Sequence, residues 1–156
     1  MENILKKIVD KKKESIANLK KEQPINSILN NIKSVNSFIN FKEKMKKRES
    51  EKKISIIAEI KKASPSAGII MDDYNPVEIA NIYNKNNATC LSVLTEEDFF
   101  MGNLMHISKI KSKVKLPTLC KDFFIDKFQV HLAKSYGADA ILIILAGVSD
   151  ELANEL

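Results

Sequence analysis

The sequence predicts an α/β chain in which parallel strands alternate with helices behind a basic helical extension. Three observations predict it. Apolar strand-like runs recur from residue 54 at intervals of roughly 25–35 residues. Capped stretches with apolar residues three and four apart fill the gaps between them. The charge balance also changes sign near residue 53: residues 1–53 carry 15 Lys and Arg against 7 Asp and Glu, whereas residues 54–156 carry 10 against 13. The expected organisation is a helical extension over 1–53 followed by a β-α domain over 54–156. At 156 residues, 44% hydrophobic, the chain is long enough to bury one ordinary core.

In the extension, Ile4, Leu5, Ile8, Val9, Ile16 and Leu19 recur at helical spacing over 1–21, and Pro24 breaks the run. Ile25, Ile28, Leu29 and Ile32 make a second helical stretch. Phe38, Ile39, Phe41 and Met45 mark a third over roughly 36–48, with Lys on its other side. An apolar stripe of this length has to pack on something.

Four strands are expected after it, at Ile54–Ile60, Ala88–Leu94, Leu116–Lys121 and Ala138–Leu145. Helices are expected at Pro76–Asn86, with Asn75 as N-cap and Pro76 in the first helical position, at Asn103–Val114, at Asp126–Tyr136, capped by Asp126 and closed by Gly137, and from Ser149 onward, with Ser149 as its cap. Strands as uniformly apolar as Ile141-Leu142-Ile143-Ile144-Leu145 suit a parallel sheet covered on both faces. In such sheets chemistry collects at the carboxyl ends of the strands.

Composition excludes several functions. No apolar run reaches the roughly 18 residues of a membrane span, and the N-terminus lacks a signal peptide's apolar core. Cys90 and Cys120 sit inside strand-like segments and read as reduced cytoplasmic thiols. His106 and His131 have no closely spaced ligand partners and are expected on helix surfaces, so no metal site is expected. The Lys-rich stretch from Lys42 to Lys53 reads as a solvated helix face, not a nucleic-acid site, because it lacks aromatic interleaving and a binding motif. There is no glycine-rich dinucleotide loop and no phosphate-cradling Gly-Lys-Ser/Thr motif.

The segment from Ile57 to Ser66 carries the chemistry. On a strand, Ile57, Glu59 and Lys61 share one face. Opposite charges on an apolar face are costly unless paired or used. Leu119, Lys121 and Phe123 share a face of the third strand and its extension, so Lys61 and Lys121 are expected to converge at one pocket mouth, where they could donate a proton or hold an anion. Ser64 and Ser66 can offer hydroxyls to a phosphate or simply build the turn around Pro65. Phe99 and Phe100 can line an aromatic pocket, or one of them can cap the core. Asp122 has the opposite parity to Lys121 and reads as a structural partner.

These residues lie in stretches that resemble indole-3-glycerol phosphate synthase. The matching stretches are Ala58-Glu59-Ile60-Lys61-Lys62-Ala63-Ser64-Pro65-Ser66, Leu91-Ser92-Val93-Leu94-Thr95-Glu96, Phe99-Phe100-Met101-Gly102, Leu119-Cys120-Lys121-Asp122-Phe123 and Gly137-Ala138-Asp139-Ala140-Ile141-Leu142. The resemblance implies a TIM (β/α)8 barrel. It implies ring closure of 1-(2-carboxyphenylamino)-1-deoxyribulose 5-phosphate to indole-3-glycerol phosphate, with loss of carbon dioxide and water and without metal or organic cofactor. It implies Lys121 as general acid, Lys61 as the anion-binding lysine that assists catalysis, and Glu59 as the acidic partner of Lys61 that contributes to the proton transfers. Ser64 corresponds to a substrate-contacting serine, and Phe100, Phe123, Leu142 and Ile144 to the lining of the aromatic pocket.

By the same resemblance the 156 residues are expected to hold the extension and about half a barrel, ending in the fourth helix. The family's fifth-strand glutamate, its sixth-strand asparagine and its main phosphate loops lie beyond that point. The first and fourth strands then present apolar edges. Two outcomes are expected: a half that needs a complementing second half-barrel, or an inactive half that self-associates.

Overall fold

The computed structural model describes residues 4–35 and 38–156. Three helices come first: α1 (Ile4–Glu22), α2 (Ile25–Ser34) and α3 (Phe41–Ser50). Pro24 separates α1 from α2 as expected, because it lacks the N–H that a continuing helix needs. The third helical stretch starts later than its apolar spacing suggests. Asn36 and Ser37 lie outside the described residues, and Asn40 caps the helix by accepting from the Glu43 amide, so Phe38 and Ile39 precede it.

The apolar stripes of α1 and α2 do find a partner. Ile16 and Ile28 pack with Phe128 and Leu132 of α6 (Lys127–Ser135) in a core of their own. Ile28 is almost fully enclosed, a burial that contributes about 2 kcal/mol. By contrast α3 buries no residue, and the Phe38 ring lies exposed with the Lys134 ammonium 4.2 Å from its centroid.

The chain then builds β1 (Ile57–Ile60), a small hairpin of β2 (Ala63–Ser64) and β3 (Gly68–Ile69), α4 (Pro76–Lys85), β4 (Cys90–Leu94), α5 (Met105–Lys111), β5 (Thr118–Lys121), α6, β6 (Ala140–Ile141), a 3-10 turn at Leu145–Gly147 and α7 (Asp150–Glu155). The caps expected from sequence all form. Asn75 accepts from the Val77 and Glu78 amides, Asp126 from Phe128 and Ser149 from Leu152. Gly137 closes α6 with a positive φ of 94°.

The main sheet has the order β1-β4-β5-β6, all parallel. Of its two interior strands β4 is buried throughout, and Ile60, Leu91, Val93, Ile107, Ile110 and Phe124 form the main core between sheet and helices. The two edges differ from the expected strands. The first strand is shorter by three residues, with Ile54 81% exposed and Ile56 and Ile57 about half exposed. The fourth is ordered as strand only at Ala140–Ile141, not over Ala138–Leu145. An edge strand has a neighbour on one side only: β1 starts where β4 starts, at the Ile57–Cys90 pair, and β6 pairs only with Leu119 and Cys120 of β5. The loop after β1 also contains structure that the turn residues did not announce. Ser64 pairs with Gly68, whose φ of 64° suits glycine, and Ala63 pairs with Ile69.

A buried carboxylate ties the layers together. Asp139 accepts from the Ile39 and Thr118 amides, each at 2.8 Å, and from Lys111 Nζ at 2.6 Å. Neither charged side chain has more than marginal contact with solvent. The ion pair and two amide donors together offset the cost of enclosing the charge.

Candidate active site

Strand parity and sheet order bring three charged side chains together at the carboxyl ends of the strands. Glu59 lies on β1, Lys61 follows it by two residues, and Lys121 ends β5. β4 lies between β1 and β5, with Ile60 beside Val93 and Lys121 beside Leu94. The two outer strands are therefore about 10 Å apart, a gap that long side chains can close above Leu94. Lys61 Nζ lies 2.7 Å from Glu59 Oε1, and Lys121 Nζ lies 3.0 Å from Glu59 Oε2. The Tyr83 hydroxyl donates to the Glu59 backbone carbonyl at 3.1 Å and steadies the strand behind it.

All three side chains are about one-third exposed. Partial burial would raise the Glu59 pKa, but the hydrogen bonds from Lys61 and then Lys121 outweigh it and hold the carboxyl below its usual range. Glu59 is thus ionised at neutral pH, and the trio carries a net positive charge suited to an anionic ligand.

These groups open on a cavity of about 70 Å³, lined also by Leu94, Phe100, Asp122, Phe123 and Ile144. The Phe100 and Phe123 rings lie 6.2 Å apart and tilted by 39°. The structure therefore brings together Glu59, Lys61, Lys121, Phe100, Phe123 and Ile144. It leaves out Leu142, Ser64 and Phe99. Leu142 does not line this cavity. Ser64 belongs to the hairpin, where its hydroxyl accepts from the Ala67 amide at 3.2 Å and lies 3.4 Å from Ser66 Oγ. Phe99 also stays outside the cavity. A larger cavity of about 330 Å³ lies under α1, between it and the α5–α6 side of the sheet, but the convergent charges of the trio are not in its wall.

Asp122 turns away from Lys121 as its parity requires. It accepts from Thr95 Oγ1 at 2.9 Å and pairs with Lys12 at 2.8 Å. His131 is exposed, but His106 is not the surface residue expected. It is half-buried against the Tyr74 ring, 5.5 Å away, because α5 packs on the α4 side of the sheet.

Sequence reasoning assigned no role to Glu96 or Lys12. Glu96 is 1% exposed, and its carboxylate accepts from the amides of Asp98, Phe99 and Phe100. The signal for Lys12 was present: it lies four residues from both Ile8 and Ile16, so it is a charge on the buried stripe of α1. Among the described residues, no group of three or more His, Cys, Asp or Glu is placed to hold a metal ion, and no helix is long and apolar enough to cross a membrane.

Comparison with known proteins points to one family. Residues 5–156 match the family model for indole-3-glycerol phosphate synthase. The indole-3-glycerol phosphate synthase of Aliarcobacter butzleri is 43% identical over 153 residues, covering 98% of this chain and 58% of the relative. That of Alkaliphilus metalliredigens is 44% identical over 146 residues, 94% and 55% of the two chains. The tryptophan biosynthesis protein TrpCF of Buchnera aphidicola subsp. Schizaphis graminum is 46% identical over 155 residues, 99% of this chain but 33% of the relative. The chain thus spans about half the length of the curated relatives it matches. The family is one of TIM barrels, and four parallel strands in this order form part of one. With its match running over almost every residue, and with the charged trio at the expected strand ends, this chain belongs to the indole-3-glycerol phosphate synthase family.

Proposed function

We propose that this chain supplies the first half of an indole-3-glycerol phosphate synthase site. That site converts 1-(2-carboxyphenylamino)-1-deoxyribulose 5-phosphate to indole-3-glycerol phosphate, carbon dioxide and water. The observation that carries the reading is Glu59 bridging Lys61 and Lys121 beside Phe100 and Phe123. Closing the ring requires a proton on the ketone oxygen as the aromatic carbon attacks it. Lys121 donates it, Lys61 holds the substrate anion, and Glu59 takes up and returns protons between them. The substrate's arrival replaces Glu59 as the lysines' anionic partner. Phe100, Phe123 and Ile144 bound the aromatic ring, and Ser64, on the hairpin that follows Lys61, contacts the substrate. The chemistry needs no metal or organic cofactor.

Residues 1–53 act in this reading as an extension docked on the barrel half of residues 54–156, not as a nucleic-acid module. Two free, buried thiols suit the cytoplasm. The test mixes the chain with a polypeptide carrying the family's remaining strands and follows indole-3-glycerol phosphate by fluorescence. Turnover that vanishes with Lys121→Met supports the proposal; no turnover from a folded, associated pair refutes it.

A second reading rests on the β1 edge, where Ile54, Ile56 and Ile57 are exposed. Such an edge is a template for pairing. In this reading the isolated chain self-associates through it and is catalytically inactive. Sedimentation velocity decides: a monomer at tens of micromolar removes this reading, and an Ile56→Lys-sensitive dimer supports it.

A further inference from the structure

We infer that Lys12 of α1 is a positioning residue, whose ammonium locks together the loop that carries Phe100 and the loop that begins next to Lys121. The inference deepens the proposed function and rests on it for the meaning of those two residues. Its geometry is independent of that reading.

Lys12 Nζ lies 2.8 Å from Asp122 Oδ1 and 3.7 Å from Glu96 Oε1. The three groups come from three separate parts of the chain: α1, the loop after β4 and the loop after β5. All are enclosed, with side-chain exposures of 12% for Lys12, 1% for Glu96 and 10% for Asp122. Each carboxylate organises its own loop. Glu96 gathers the amides of Asp98, Phe99 and Phe100 at 3.2, 2.7 and 3.1 Å, which sets the position of the Phe100 ring. Asp122 accepts from the Phe123 amide at 2.7 Å and from Thr95 Oγ1 at 2.9 Å, and it is flanked by Lys121 and Phe123, both at the cavity. Thr95 is itself the neighbour of Glu96, so the two loops are also joined at Thr95, whose hydroxyl donates to the Asp122 carboxylate and whose amide donates to the Lys121 carbonyl at 3.0 Å.

Two carboxylates drawn this close in a buried setting repel each other and are poorly hydrated. One shared cation turns that repulsion into attraction. Loss of the cation leaves two uncompensated charges, which separate and admit water. The loops then move apart, which displaces Phe100 and the strand end at Lys121. The docking of α1 does not depend on this cation. Ile8 and Ile16, one turn to either side, are buried on the same stripe. Lys12 is therefore a charge on an apolar face put to use, as Glu59 is on β1.

The experiment is amide hydrogen exchange by NMR on the chain itself, without substrate, for wild type, Lys12→Met and Lys12→Arg. The expected result is that Lys12→Met speeds exchange at Asp98, Phe99, Phe100 and Phe123 by tenfold or more. Leu91 and Val93 in the core should change less than twofold, and Lys12→Arg should restore protection at the four loop amides. Loop exchange within twofold of wild type in Lys12→Met overturns the inference. So does acceleration of equal size in loop and core, which marks a purely global role. If Lys12→Met fails to fold, Lys12→Met/Asp122→Asn, which removes the repulsion, is compared with Asp122→Asn alone. Faster exchange at residues 98–100 in the double variant supports the tie, and equal exchange overturns it. Since exchange is read without turnover, an inactive wild type in the complementation assay would count against the proposed function and leave this result standing.

Discussion

Lys121 Nζ reaches Glu59 Oε2 at 3.0 Å across the whole width of β4, from a strand that is not adjacent to β1. The contact joins two residues 62 positions apart in sequence and is also the means by which Glu59 meets a second lysine. The carboxylate is held ionised by both.

Acid should weaken the fold through Glu59. Its folded-state pKa lies below its ordinary value of 4.5. The stabilisation it contributes is therefore complete above that pH and is lost as pH falls through the lower folded value. Urea midpoints measured from pH 7 to pH 2 should show an acid limb that is shallower in Glu59→Gln. An unchanged limb would mean the ion pairs contribute nothing to the native state.

In a reconstituted enzyme, Lys121→Met should lower kcat by about 10²–10⁴-fold, the usual contribution of a positioned general acid. Lys61→Met should act mainly on KM if, as proposed, Lys61 holds the substrate anion. Steady-state kinetics on the complemented pair separates the two roles.

Asp139→Ala should be among the most damaging core substitutions. It strips the partner from Lys111 and leaves the Ile39 and Thr118 amides without their acceptor. Breaking a buried ion pair costs about 3–5 kcal/mol. Asp139→Asn keeps an oxygen for an amide and should cost less. Chemical denaturation of the two variants gives the comparison.

Gly102→Ala should destabilise by about 1–3 kcal/mol through overpacking. A Cβ there would lie 2.6 Å from the Leu94 carbonyl oxygen, 2.7 Å from the Thr95 carbonyl carbon and 2.8 Å from the Glu96 carbonyl oxygen. All three are backbone atoms, so the loop behind Phe100 has to shift. A thermal-melt series with Gly102→Ala and a control at Gly147, where a Cβ meets only side chains at ordinary distances, isolates the effect.

Both thiols should resist modification in the native state. Burial pushes Cys120 up to about 12 and Cys90 up to about 11. At pH 8 a thiol of pKa about 11 is only about one-thousandth thiolate. Labelling by a disulfide reagent should follow the rate of unfolding and should rise in step with added urea.

The sequence by itself determined the alternation of strands and helices, the helix caps at Asn75, Asp126 and Ser149, and the face shared by Glu59 and Lys61. Those features rest on local rules, namely chain periodicity, capping chemistry and parity, which act over a few residues. It also carried the family's stretches, and with them the identity of Lys121. The tertiary structure alone decided which strand ends stand side by side, how short the edge strands are, and that Ser64 spends its hydroxyl inside a hairpin. It alone placed Lys12 against Glu96 and Asp122, and His106 against Tyr74. These are matters of sheet order and helix docking. They depend on contacts between residues far apart in the chain, whose distances no local pattern encodes.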